Sequence, residues 1–167
     1  MVTVSPPRPT PAPLAEPAPW AYALQLPHDA RAPRVARSTL RVVLAAHGLT
    51  ALADAAELLT SELVSNAYLH AEGDATLRLR ALDGGRRLRV SVWDSNPHIP
   101  PPFDRRPGSA GLCSVPVEAD GGRGLFLVCH YADAWGGYSL GDDLFGRGGK
   151  LLWCELGRHA ARQAAAA

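Results

Sequence analysis

Within "ELVSNAYLHA", residues 62–71, an acid, an amide and an imidazole recur at every fourth position as Glu62, Asn66 and His70. Four-residue spacing stacks side chains on one face of a helix. The three therefore form a polar stripe beside Leu58, Leu59, Leu63, Val64 and Ala67, which supply the buried face. Two readings stand open, the solvent side of an ordinary helix and the wall of a pocket. The pocket has a definite chemistry. A carboxylate can take a proton from a hydroxyl or a water, and an amide oxygen is a hard ligand suited to Mg²⁺. His70, one turn beyond Asn66, reads as a helix-end histidine rather than a catalytic one.

Two further spots do not read as core. In "LRVSVWD" Leu88, Val90, Val92 and Asp94 share one face of an alternating strand, so a carboxylate stands on the apolar side. A buried, unpaired carboxylate costs several kcal/mol. Asp94 therefore needs a partner, either an amine on a ligand or the backbone of a turn in "DSNP". The other spot is "GGRGL", residues 121–125. Glycines opening a helix let a ligand approach the backbone, and the helix start offers free N–H groups to phosphate. Simple turn geometry would explain them equally. The P-loop pattern GxxxxGK(S/T) is absent, since Leu151 follows Gly149-Lys150, and GxGxxG fails at Leu127. In chain order the three spots supply a base with a metal ligand, an acceptor for an amine, and a phosphate cradle. Those are the parts of a nucleotide site.

The elements that must position them follow from periodicity. "WAYALQL" (20–26) reads as a strand, 29–49 as a helix capped by Asp29 and ended by Gly48, and 50–71 as a second helix with Thr50 as N-cap. The period then becomes two in "ATLRLRAL" and "LRVSVWD", joined by the hairpin turn "DGGR". Residues 95–120 form a long loop rich in Pro, Gly, Ser and Asp, from which 97–120 are expected to make a lid. A helix over 121–133 and strands over 134–140 and 148–156 close the chain. The order β-α-α-β-β-loop-α-β-β predicts an α+β fold, a mixed but mostly antiparallel sheet with helices on one face.

Composition narrows the function classes. A chain of 167 residues suits one domain, read as 20–156 between a Pro/Ala-rich tail (1–19) and a short tail (157–167). A formal net charge of +1 gives no electrostatic case for nucleic acid or an anionic membrane. Trp93, Trp135 and Trp153 read as packing or partner surface, since no basic cluster accompanies them. No apolar run approaches the ~20 residues of a membrane span. Cys113, Cys129 and Cys154 are odd in number and form no CxxC, which fits a reducing cytoplasm. Six scattered histidines without HExxH offer no zinc site.

The motifs carry a resemblance. "TSELVSNAYLHA" looks like the N box, "VWDSNPHIPP" and "GGRGLFLVCHYADAWG" like the two glycine boxes, and "GGKLLWCEL" like the closing strand of the GHKL superfamily ATP-binding domain. The chain is similar in particular to anti-sigma-factor serine/threonine kinases, over about residues 22–156. The resemblance implies the Bergerat, histidine-kinase-like ATPase fold, a two-layer α/β sandwich, with ATP and Mg²⁺ as cofactors. It implies that Glu62 is the general base and that Asn66 coordinates Mg²⁺. Asp94 would accept from the adenine amino group, while Gly122, Arg123, Gly124 and Leu125 would contact phosphates. The implied partners are an anti-anti-sigma protein, phosphorylated on Ser or Thr, and a sigma factor, with a homodimer as the assembly. The chain departs from the pattern in two places. Asn96 and His98 replace glycines after the aspartate, and Leu151 stands where a hydroxyl is expected to touch the adenine end.

Overall fold

The change of period near residue 75 is where helix gives way to sheet, and the computed structural model, which describes residues 19–104, 123–141 and 148–157, realises it. The described elements are β1 (Ala21–Leu26), α1 (Ala32–Ala46), α2 (Ala53–His70), β2 (Ala75–Leu82), β3 (Arg87–Asp94), α3 (Arg123–Tyr131), β4 (Ala134–Leu140) and β5 (Gly149–Leu156). Five strands run in the order β1-β2-β3-β5-β4. All four pairings are antiparallel, so the sheet is antiparallel throughout its described strands rather than mixed. This is the α+β arrangement expected from the order of the elements.

Alternation decides which face is buried. Leu77 and Leu79 of β2, Val90 and Val92 of β3, and Leu152 and Cys154 of β5 point inward against Leu59, Leu63 and Val64 of α2. Full burial of each such side chain contributes about 1.5–3 kcal/mol, which makes this layer the main source of cohesion. Arg78 and Arg80 of β2 stand exposed on the opposite face. The helices are tied to each other by Arg41, whose guanidinium donates twice to Glu57 at 2.7 Å, and by Arg37, which donates to Ser61 Oγ at 2.6 Å.

Several local expectations shift. Thr50 does not cap α2; residues Thr50–Leu52 form a separate 3₁₀ turn before Ala53. Asp29 accepts from the Arg31 N–H at 2.8 Å, one turn ahead of α1, so it orders the approach rather than the helix itself. Leu58 is 37% exposed and is not part of the buried face, because Ala56 and Leu59 occupy the core side of that turn. The "DGGR" turn does close β2 onto β3, with Asp83, Gly84 and Gly85 all at positive φ. The proposed lid is anchored at its start: Phe103 is fully buried, its ring 5.3 Å from that of Trp135, and Ile99 packs on the core. Residues 105–120 lie outside the described part of the chain.

Candidate functional site

The polar stripe of α2 runs along the edge of the core. Asn66 is 9% exposed, and its Oδ1 is buried with no hydrogen-bond partner. A buried acceptor left unpaired costs about 1–3 kcal/mol, so a group that supplies a donor or a cation there recovers that cost. Glu62, one turn earlier, is half-buried and packs against α3 at Gly124. A Cβ at Gly124 would stand 2.7 Å from Glu62 Cδ, so a larger residue there would push the carboxylate away from its present position. His70 ends the stripe exposed, and its carbonyl accepts from Asn96 Nδ2 at 2.6 Å.

The second wall comes from the end of the β3–β5 ladder, where Asp94 pairs in register with Lys150. Both side chains are buried. Lys150 Nζ donates to Asp94 Oδ1 at 2.9 Å and to the Asn96 carbonyl at 3.4 Å. Asp94 Oδ1 also accepts from the Asn96 N–H at 2.9 Å, and Asn96 Oδ1 accepts from the His98 N–H at 2.9 Å. Both partners considered for Asp94 are therefore present, a turn backbone and an amine, but the amine belongs to the chain itself. Gly149 permits this approach, since a Cβ there would lie 2.9 Å from Trp93 Nε1.

Between the walls lies a cleft of about 180 Å³ lined by Asn66, His70, Asn96, His98, Pro100 and Lys150. Asp94 sits behind Lys150 and is not part of the lining. A larger hollow of about 660 Å³ on the other side of the sheet, bordered by Trp20, Arg78, Arg80, Arg89 and Leu151, has no carboxylate or amide in its lining. The smaller cleft is the one that contains an expected site residue, Asn66.

Of the residues expected to form the site, Asn66 lines the cleft, Asp94 lies directly beneath it, and Glu62 meets Gly124 one turn along α2. Leu125 is 6% exposed, within the hydrophobic core. Arg123 is the first residue of α3, and Gly122 lies outside the described residues. Leu151 is opposite Trp93 on the outer side of the ladder and does not line this cleft, whereas its neighbour Lys150 does. Cys154, also on β5, is chemically quiet, because burial pushes its thiol up to about 12.

Lys150 and Asn96 are the two site residues that sequence reasoning passed over. The signal for Lys150 was its phase: Lys150, Leu152, Cys154 and Leu156 alternate on the inward face. Asn96 was read only as a missing glycine. Its side chain instead ties the strand end to the last turn of α2 through Nδ2, which donates to the His70 carbonyl, while its Oδ1 accepts from the His98 N–H and shapes the following loop.

The residues fit a Mg²⁺–nucleotide complex at one point in particular, the unpartnered Asn66 Oδ1. Among the described residues no cluster of three or more His, Cys, Asp or Glu side chains could hold a metal. A cation here would thus depend on the amide together with ligand phosphates and water, the usual manner for Mg²⁺. No helix among the described residues is long and apolar enough to cross a membrane. The family model for the histidine kinase-like ATPase domain matches residues 26–143. No curated protein matches the chain.

Proposed function

We propose that this chain, which belongs to the histidine kinase-like ATPase domain family, is an ATP- and Mg²⁺-dependent regulator that phosphorylates a Ser or Thr of an anti-anti-sigma partner, sequesters a sigma factor, or does both. The observation that carries the reading is the orphaned Oδ1 of Asn66, a residue of the cleft, one helical turn from the Glu62 carboxylate that packs beside Gly124 of α3. Bound Mg·ATP supplies the transferable phosphoryl group and the charge neutralisation that lets it leave. Asn66 would hold the metal through Oδ1, and Glu62 would accept the proton of the incoming hydroxyl as that oxygen displaces ADP from the phosphoryl group. Because α2 is one rigid element, it fixes base and metal ligand relative to each other before the substrate arrives.

A second reading is a nucleotide-gated binding protein without transfer. It is supported by Lys150 capping Asp94 and by Asn96 and His98 standing in place of flexible glycines. Transfer from γ-labelled ATP to an anti-anti-sigma protein separates the two. Glu62→Gln keeps the shape and removes the basic site, so it should leave ATP affinity nearly unchanged and slow transfer by roughly 10²–10⁴-fold. Equal transfer by both forms removes Glu62 as the base. A wild type that binds ATP and a sigma factor yet labels no partner favours the second reading.

A further inference from the structure

We propose that the free edge of β1 takes up an extended segment of a partner protein that carries acidic residues at alternate positions. The segment's backbone adds one strand to the sheet, and its acids pair with Arg78 and Arg80. This surface lies across the sheet from the Asn66 cleft, so the inference stands apart from the nucleotide reading. β1 is the outermost of the described strands on the β2 side. Its sequence, Ala-Tyr-Ala-Leu-Gln-Leu, has neither a charge nor a proline, the usual protections of an exposed edge. Ala21, Tyr22, Ala23 and Gln25 are all exposed. The phase of the ladder shows which groups are spare. The Trp20 carbonyl accepts from the Ala81 N–H at 3.0 Å, one step before the pair Ala21–Arg80. Hydrogen-bonded pairs alternate with open ones along an antiparallel ladder. Tyr22 and Leu24 therefore bond to β2, while Ala21, Ala23 and Gln25 turn N–H and C=O to the free edge.

Behind that edge stands positive charge without a counter-ion. Arg78 and Arg80 are exposed on β2, and neither makes an ion pair or a side-chain hydrogen bond among the described residues. Arg80 also stands in register with Arg89 of β3, like charge against like, which costs stability unless something offsets it. Glu155 offsets Arg89, and Arg80 is left over. On the other side, Ala21 is opposite Arg80 and Ala23 opposite Arg78. Their methyl groups leave open the hollow of about 660 Å³, whose lining holds Arg78, Arg80 and Arg89 but no acid. A strand added to the edge would set the side chains opposite Ala21 and Ala23 on this same face, about 10 Å, two strand spacings, from β2. Glutamate and arginine reaching toward each other over an alanine bridge that gap. Arg78 and Arg80 are two residues apart, the same step as alternate positions of an extended segment. A second copy of this chain does not meet the need, since β1 laid on β1 brings only Ala21, Ala23 and Gln25 to this face and leaves both arginines unmatched.

The probe is a fluorescein-labelled peptide, Glu-Thr-Glu-Thr-Glu-Thr-Glu-Thr, titrated with the full chain at low salt and read by anisotropy. A second peptide has the same composition with all its glutamates first, so it keeps the charge and loses the alternation. The alternating peptide should bind, and the blocked one several-fold more weakly. Arg78→Ser together with Arg80→Ser should weaken binding by about tenfold, the worth of two exposed ion pairs. Ala23→Pro keeps both arginines and removes an edge-facing N–H that β2 does not use, a position where proline is tolerated. It should weaken binding comparably while circular dichroism stays that of the wild type. Should that variant unfold, the arginine variant and the two peptides decide alone. Equal affinity for the two peptides, or wild-type affinity in a folded Ala23→Pro chain, overturns the added strand. Undiminished binding by the serine variant overturns the pairing with Arg78 and Arg80. No binding up to about 1 mM peptide overturns the inference outright. So does sedimentation that shows the chain dimerising through an edge that Ala23→Pro breaks, because the occupant is then a second copy.

Discussion

The β3–β5 ladder carries an ion pair at each end, and the two ends are built differently. At the cleft end, Lys150 and Asp94 face inward, with side chains only 1% and 2% exposed and a single direct contact at 2.9 Å. At the far end, Glu155 takes donors from Arg87 and Arg89 on the outer face, where the arginines are 28% and 34% exposed. That latch is multidentate, with Arg89 Nε donating to Glu155 Oε1 at 2.8 Å and the guanidinium lying 4.3 Å over the Trp153 ring. Water shares the cost of the outer charges. At the inner pair the protein alone must satisfy them, and an apolar pair of similar volume would hold the strands at least as well. An arrangement that is dispensable for stability but placed at a cleft points to use rather than cohesion.

The largest expected effect breaks the inner pair from one side. Asp94→Ala leaves the Lys150 ammonium buried alone and should lower unfolding free energy by about 3–5 kcal/mol in urea titrations. Adding Lys150→Met should recover most of that loss. If the double variant stays as unstable as the single, the cost lies in packing rather than in the stranded charge.

The glycines that flank β5 sharpen the same contrast. A methyl at Gly149 meets the Trp93 ring and the Asp94 backbone, neither of which can yield cheaply. Gly149→Ala should therefore cost about 1–3 kcal/mol by overpacking. At the other end, a methyl at Gly157 meets Arg87 Cγ at 2.6 Å, so the Arg87 side chain, which also pairs with Glu155, must shift. Its cost should be smaller than at Gly149, about 1 kcal/mol, because a side chain rather than backbone has to give. Thermal melts of the two variants compare them directly, and equal shifts would remove the distinction between a rigid and a yielding end.

A similarly small effect belongs to the outer latch. Glu155→Gln keeps the shape and discharges the acceptor; Glu155 itself is buried, but its partners Arg87 and Arg89 are 28% and 34% exposed and can turn to water, so the loss should be about 1 kcal/mol. The loss should shrink as salt is raised, because exposed charges are screened. A salt-independent loss of several kcal/mol would place the outer pair in the same class as the inner one.

The contrast also explains what could be read from the sequence. Strand faces were legible because Leu77, Leu79, Val90 and Val92 alternate with polar residues, and a period of two admits one assignment. The hairpin was legible because "DGGR" needs positive φ, which glycine supplies cheaply. Asn66 was legible as a candidate but not as a site. Its spacing gave the helix face, while the missing partner of Oδ1 appears only when every neighbour is in place. The Asp94–Lys150 contact was illegible for another reason. It joins positions 94 and 150 across strands adjacent in the sheet but distant in the chain, so no local pattern registers it. The same distance hid Gly124 against Glu62, where a helix-opening glycine proved to serve a contact with α2. Phe103 was lost in a proline-rich stretch whose composition reads as loop, although one aromatic ring anchors that stretch to the core.

The central claim, that this cleft holds a Mg²⁺–nucleotide through Asn66, is most directly tested by calorimetric titration of ATP into wild type and Asn66→Ala, each with Mg²⁺ and with EDTA. Since Asn66 Oδ1 makes no hydrogen bond inside the protein, its removal should leave the fold intact. The wild type should bind with an affinity that falls when Mg²⁺ is removed. Asn66→Ala should bind at least about tenfold more weakly, the equivalent of ~1.4 kcal/mol, and respond little to the metal. Affinity that is the same in both proteins, with and without Mg²⁺, would contradict the account.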